Sequence, residues 1–199
     1  GVNLNDFIDL NETEDIITIC FAARLLRDKG VYDFVSAARL LKQREVQARF
    51  LLVGNTDFKN PTGIRNEELR GIIEEGIVEV LGYQKNIAAI YAKSHIICLP
   101  SYREGLPKSL VEAAAASRAV VTTDVPGCRD SIIPNKSGLL VPVNDPKKLA
   151  DAFQWLIDNP NKRIDMGKNG RQLAENKFTI KDIVKKHLDI YQLLLENTL

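Results

Sequence analysis

A chain of 199 residues, 45% apolar and 27% charged, has the make-up of an ordinary globular domain and the length for a sizeable core. Its net charge of +1 gives no overall pull toward nucleic acid or acidic lipid, so any electrostatic site must come from local clustering. No apolar run approaches the roughly 18 residues that a membrane span requires, and no signal peptide opens the chain.

Taken in order, the start (Gly1-Val2-Asn3-Leu4-Asn5-Asp6-Phe7) is polar and turn-rich, and reads as a linker. Residues 16–22 form a continuous apolar run, the pattern of a strand covered on both faces. A turn carrying Arg24, Arg27 and Lys29 follows, and then Val31, Phe34, Val35, Ala38 and Leu41 recur at helical spacing. A second buried strand, residues 50–53, ends at Gly54-Asn55. A polar loop over 56–65 contains the turn signals Asn60-Pro61 and Thr62-Gly63. A helix over 66–75, a strand over 77–81, a helix over 86–92 and a strand over 96–99 come next.

The fourth strand runs into Pro100 and the stretch Ser101-Tyr102-Arg103-Glu104-Gly105-Leu106-Pro107-Lys108-Ser109-Leu110-Val111-Glu112. Pro107 suits a first helical residue, because its missing N–H would be unpaired there and its φ is already helical. Glu104 then lies in the turn and Glu112 in the helix, whose side chains lean back toward its N-terminus. The backbone N–H groups of Lys108, Ser109 and Leu110 and the positive end of the helix dipole are expected to face the same mouth. Hydroxyl-binding carboxylates beside an anion-binding helix start suit a sugar joined to a phosphate.

A strand over 119–123, a turn at Pro126-Gly127-Cys128 and a last strand over 138–141 follow. Asp145 caps a helix with Pro146 at its first position, and Asn159-Pro160 breaks that helix. A further helix spans 162–175. Thr179 and Asp182 form a capping-box pattern for a closing helix over about 180–196.

Alternating strands and helices with continuously apolar strands define an α/β domain: a doubly wound, Rossmann-like parallel sheet of about six strands, with extra C-terminal helices. Ligands of such sheets bind at the carboxyl ends of the strands. That rule gathers Arg24, Lys29, Gly54, Gly82, Tyr83 and the 101–112 stretch. Each has a bland account as well. A lone basic residue is commonly solvated, a strand-ending glycine can simply supply positive φ, and an aromatic such as Tyr83 can be packing. Either glutamate alone could be a helix-start charge, but that leaves the Glu-Gly-Leu-Pro turn between them unexplained.

His95 and His187 lack partners at metal or triad spacing and read as structural. Cys20, Cys98 and Cys128 form no C-x-x-C pair, and the two within apolar runs read as buried free thiols of a cytoplasmic protein. There is no G-x-G-x-x-G after the first strand, no P-loop, and no acidic cluster for a divalent metal.

The segment Phe21-Ala22-Ala23-Arg24-Leu25-Leu26-Arg27-Asp28-Lys29-Gly30 resembles the G-R-L-x-x-x-K-G segment of family 4 (group 1) retaining glycosyltransferases. Residues 102–113 resemble that family's E-x(7)-E segment, and Leu52-Val53-Gly54, Leu81-Gly82-Tyr83 and residues 120–127 and 137–142 fit the rest in order. Ala23 departs from the family's usual glycine.

The resemblance implies the C-terminal, donor-binding half of a GT-B enzyme of the bacterial polysaccharide type. Residues 1–14 would then be a linker from an absent N-terminal acceptor domain, and 15–199 the nucleotide-sugar-binding domain. By the same analogy Arg24 and Lys29 hold the diphosphate of a nucleotide sugar, a UDP-sugar by preference, and Glu112 bonds the ribose. Glu104, the catalytic candidate, contacts the donor sugar. Backbone from Gly105 through Leu106, Pro107, Lys108 and Ser109 to Leu110 binds sugar hydroxyls and phosphate, with Gly54, Gly82 and Tyr83 around the base.

No metal or other cofactor is expected. The full-length enzyme would take a saccharide or lipid-linked acceptor at the inner face of the cell membrane, and this half alone would be inactive. The competing expectations are a GT-B-like nucleotide-sugar epimerase and a non-catalytic nucleotide-sugar-binding module.

Overall fold

The computed structural model describes residues 1–7, 12 and 16–196. Six strands form one all-parallel sheet: β1 (Thr18–Ala22), β2 (Arg49–Val53), β3 (Glu79–Gly82), β4 (Ile96–Leu99), β5 (Ala119–Thr123) and β6 (Gly138–Val141), in the order β3-β2-β1-β4-β5-β6. Every residue of β1, β4 and β5 is buried, as their unbroken apolar content requires when helices cover both faces. β1 begins later than its apolar run predicts. Its pairing with β2 starts at Thr18 opposite Arg49, and Ile16 lies before the ladder, exposed. β3 likewise begins two residues later than expected and extends to Gly82.

The eight α-helices among the described residues are α1 (Val31–Gln43), α2 (Asn66–Glu75), α3 (Ile87–Ala92), α4 (Lys108–Ala115), α5 (Pro126–Asp130), α6 (Pro146–Asp158), α7 (Pro160–Lys177) and α8 (Ile180–Glu196). On one side α1 packs against α6, and Phe34 of α1 contacts Phe21 of β1, Phe50 of β2 and Phe153 of α6 at centroid distances of 5.6, 6.0 and 6.2 Å. Aromatic edges and faces in such arrays add specific geometry to a large buried area. On the other side the alanine-rich α4 packs against α7.

Three local expectations change. The turn at Pro126-Gly127-Cys128 is the first part of a short helix, α5, with Pro126 at its first position. Asn159-Pro160 does end α6, but Pro160 starts α7 at once, because a proline costs nothing where no helical N–H is needed. Pro107 sits one position earlier than predicted, as the cap residue of α4 with extended ψ. The cap of α6 is as expected, Asp145 accepting from the Lys148 N–H at 2.9 Å. At α8, Thr179 accepts from the Asp182 N–H at 3.0 Å.

Of the segment read as a linker, residues 8–11 and 13–14 lie outside the described residues. The described part is attached: Val2 and Phe7 are buried, the Val2 N–H donates to the Phe178 carbonyl at 2.7 Å, and Glu12 forms an ion pair with buried Arg163 at 2.8 Å.

The order 3-2-1-4-5-6 reverses direction between β1 and β4. Such a reversal opens a crevice at the carboxyl edge of the sheet, beside the loops that leave these two strands. Among the described residues no helix is long and apolar enough to cross a membrane.

Candidate functional site

The turn after β1 and the loop after β4 meet at this reversal, held by backbone. The Tyr102 N–H donates to the Asp28 carbonyl at 2.8 Å, and the Ser101 hydroxyl lies 3.1 Å from the same oxygen. Thr123, at the end of β5, bonds the Ser101 carbonyl from below. These contacts set Lys29 against Glu104, Nζ to Oε1 at 2.6 Å, with the two side chains only 17% and 13% exposed.

The start of α5 supports Glu104 from the other side. A Cβ on Gly127 would collide with the carbonyl oxygens of Glu104 and Gly105, so only glycine lets the two backbones meet. Sequence reading had Gly127 only as part of a turn, and this supporting role needs the fold to be seen.

Beside this pair lies a cleft of about 350 Å³, within the range of small-molecule sites. Arg24, Gly54, Tyr83, Lys108, Ser109 and Glu112 of the predicted residues line it, together with Asn55, Gln84, Lys85 and Tyr91. Lys29, Gly82, the 104–107 turn and Leu110 lie outside its lining. Leu110 does not face the mouth: its side chain is fully buried and its N–H is taken by the Pro107 carbonyl at 3.1 Å. Lys108 and Ser109 therefore carry the open N–H groups of the α4 start, where no earlier turn supplies a carbonyl.

Glu112 is buried at the cleft wall, with Lys108 Nζ 3.2 Å from Oε1 one helical turn away. Burial pushes its carboxyl up, and the Lys108 ammonium pulls it partly back. The Tyr91 hydroxyl donates to the Ser109 carbonyl at 3.3 Å, joining α3 to the α4 start. Arg24 is exposed and paired with Asp57 of the 56–65 loop at 3.1 Å. An exposed pair of this kind contributes little and is easily exchanged for another anion.

Gly54 and Gly82 both have positive φ, 142° and 64°, and a Cβ on Gly54 would collide with the Ala23 carbonyl, so the bland account of that glycine holds alongside any other. Tyr83 is not packing. Its side chain is 70% exposed at the cleft rim, while its N–H donates to Asn55 Oδ1 at 3.0 Å. Asn55 thus fixes the β3 turn, a role hidden in sequence because the partner lies 28 residues away.

His95 accepts from the Thr18 N–H at 3.0 Å where β1 and β4 begin, far from the site, and His187 is on the exposed face of α8. All three cysteines are free and buried. Among the described residues no cluster of three or more potential metal-ligating side chains is found.

Fold and crevice together define a Rossmann-like α/β domain of the kind that forms the C-terminal half of GT-B glycosyltransferases. The family described as "Glycosyl transferases group 1" matches residues 3–173, and the chain belongs to it. It is 31% identical over 179 residues to N,N'-diacetylbacillosaminyl-diphospho-undecaprenol alpha-1,3-N-acetylgalactosaminyltransferase of Campylobacter jejuni, covering 90% of this chain and 45% of that protein.

Among solved structures, sucrose-phosphate synthase from Thermosynechococcus elongatus superimposes with a TM-score of 0.87 at 27% identity, covering 99% of this chain and 52% of that one. Anabaena Alr3699/HepE, solved in complex with UDP-glucose, shares the fold with a TM-score of 0.83 at 20% identity, covering 96% of this chain and 56% of that one. The chain spans about half the length of these proteins.

Proposed function

We propose that this chain is the donor-binding half of a retaining glycosyltransferase that takes a UDP-sugar in the crevice between β1 and β4. The observation that carries the reading is the convergence of three cations, two carboxylates and an open helix start on one sheet edge. Lys29 and Glu104 meet at the strand reversal, and Arg24, Lys108 and Glu112 line the adjoining cleft. The UDP-glucose complex of the structurally similar HepE supports the choice of ligand.

In this reading Arg24 and Lys29 grip the diphosphate, the N–H groups of Lys108 and Ser109 complete its cradle, and Glu112 accepts from the ribose hydroxyls. Tyr83 offers an exposed ring to the base. Departure of the nucleoside diphosphate puts negative charge on the leaving phosphate and positive charge on the sugar ring. Fixed cations and N–H donors aimed at the leaving group lower the barrier without reorganising at the moment of reaction. Glu104 orients the sugar through its hydroxyls, and the acceptor attacks from the face that the phosphate leaves.

The acceptor, a saccharide or a lipid-linked sugar, is met by an upstream half that occupies the remaining length of the relatives. The lipid-linked substrate in the name of the Campylobacter relative supports that choice, and in this reading the full-length enzyme meets such an acceptor at the inner face of the cell membrane.

Calorimetry with UDP and a panel of UDP-sugars, without added metal, tests the site. Wild type is expected to bind, and Arg24→Ala, Lys29→Ala and Glu112→Ala each to weaken binding at least tenfold. Equal affinity in the wild type and all three variants would remove the assignment.

A further inference from the structure

We propose that Glu104 is a charge gate on Lys29, through which the site selects an intact nucleotide sugar over the free nucleoside diphosphate. This rests on the donor-site reading above and adds to it a role for the Lys29–Glu104 pair. In the structure Lys29, assigned to phosphate, is neutralised by a carboxylate 2.6 Å away. Neither partner is a loose surface arm. Lys29 ends the 3₁₀ turn Arg27–Lys29, whose carbonyl at Asp28 receives the Tyr102 N–H, and the Glu104 backbone is backed by Gly127. The other two cations at the cleft differ, since Arg24 and Lys108 have side chains 63% and 80% exposed and can turn toward a ligand. The Lys29 field therefore reaches a ligand only with Glu104 beside it.

A nucleoside diphosphate ends in a phosphate with an extra ionisable oxygen where the sugar would be attached. That charge falls near the Glu104 carboxylate. Like charges a few ångströms apart oppose each other, and more strongly in a half-buried setting than in water. In a nucleotide sugar the same oxygen is esterified and carries no charge, and the sugar's hydroxyls donate to Glu104, which can turn from Lys29 to them. The ammonium keeps donors for both carboxylate and phosphate. One carboxylate thus favours the donor and disfavours the product, which speeds release of the spent nucleotide.

The test is calorimetry of the chain with UDP and with the UDP-sugar that binds wild type best, using Glu104→Gln and Glu104→Asp. Glu104→Gln is expected to tighten UDP about tenfold and to weaken the UDP-sugar, whose hydroxyls lose a charged acceptor, so that the preference moves toward UDP. Glu104→Asp keeps the charge and is expected to hold the wild-type preference, with circular dichroism confirming that both variants fold. UDP affinity in Glu104→Gln equal to or below that of wild type overturns the gate while leaving the donor site standing. Absence of binding to UDP and to every UDP-sugar in wild type overturns the donor site and the gate together.

Discussion

Two lysine–glutamate pairs stand at the carboxyl edge of the sheet, and they are alike only in chemistry. Lys108 and Glu112 are one helical turn apart on α4, and the lysine is 80% exposed. Lys29 and Glu104 are 75 residues apart, on different strand-end loops, and both are largely covered. The first pair is local and forms wherever α4 is helical. The second exists because the Tyr102 N–H and the Ser101 hydroxyl bind the Asp28 carbonyl and Gly127 backs the Glu104 turn, which holds two loops together. In the first pair only Glu112 is covered while the Lys108 ammonium stays in water, so the pair contributes modestly, whereas in the second both charges are covered and breaking it strands one of them away from water. The comparison shows where the site is rigid and where it can adapt.

Truncating the covered pair has the largest expected effect. Lys29→Ala leaves the Glu104 carboxylate unpartnered in a half-dry crevice and is expected to lower stability by up to about 3 kcal/mol. The same change at Lys108 is expected to cost below about 1 kcal/mol. Urea denaturation of both variants measures the difference, and equal losses would erase the distinction drawn here.

Next in size is Gly127→Ala. Its Cβ must displace the Glu104–Gly105 backbone, an overpacking expected to cost about 1–3 kcal/mol and to move Glu104 off Lys29. The protein should remain folded but bind UDP-sugar more weakly. Unaltered melting temperature and affinity would show that the loop yields freely and that the pair is not held by backbone.

The smallest effect concerns Glu112. Burial raises its carboxyl above the ordinary range. A carboxyl whose pKa is raised on folding destabilises the folded state at pH above that raised value, and the penalty disappears as pH falls below its unfolded value. Glu112→Gln is therefore expected to raise the melting temperature slightly near neutral pH and to leave it unchanged below about pH 4, under the unfolded carboxyl value. A gain that is flat with pH would assign the effect to packing instead of charge.

Much of this molecule was legible from residues alone. Mostly apolar runs marked the six strands. Asp145 with Pro146 marked the start of α6 and Asn159-Pro160 its end, since these residues act through their own backbone geometry or through partners three residues away. Arg24, Gly54, Tyr83, Lys108, Ser109 and Glu112 line one cleft, because strand ends in a parallel sheet all point one way. Misplacements were of one or two residues, as at β1, β3 and Pro107, where pairing with a neighbour decides which residues join the ladder or the helix.

Only the tertiary structure decided what these residues touch. The Lys29–Glu104 pair, the Asn55 hold on the Tyr83 backbone, the Arg24–Asp57 pair and the Gly127 support each join segments that are 22 or more residues apart. A sequence shows charge, size and local period, which act over a few residues. Which carboxylate neutralises which cation depends on loop ends brought within 3 Å by the strand reversal, and that proximity is a property of the folded chain.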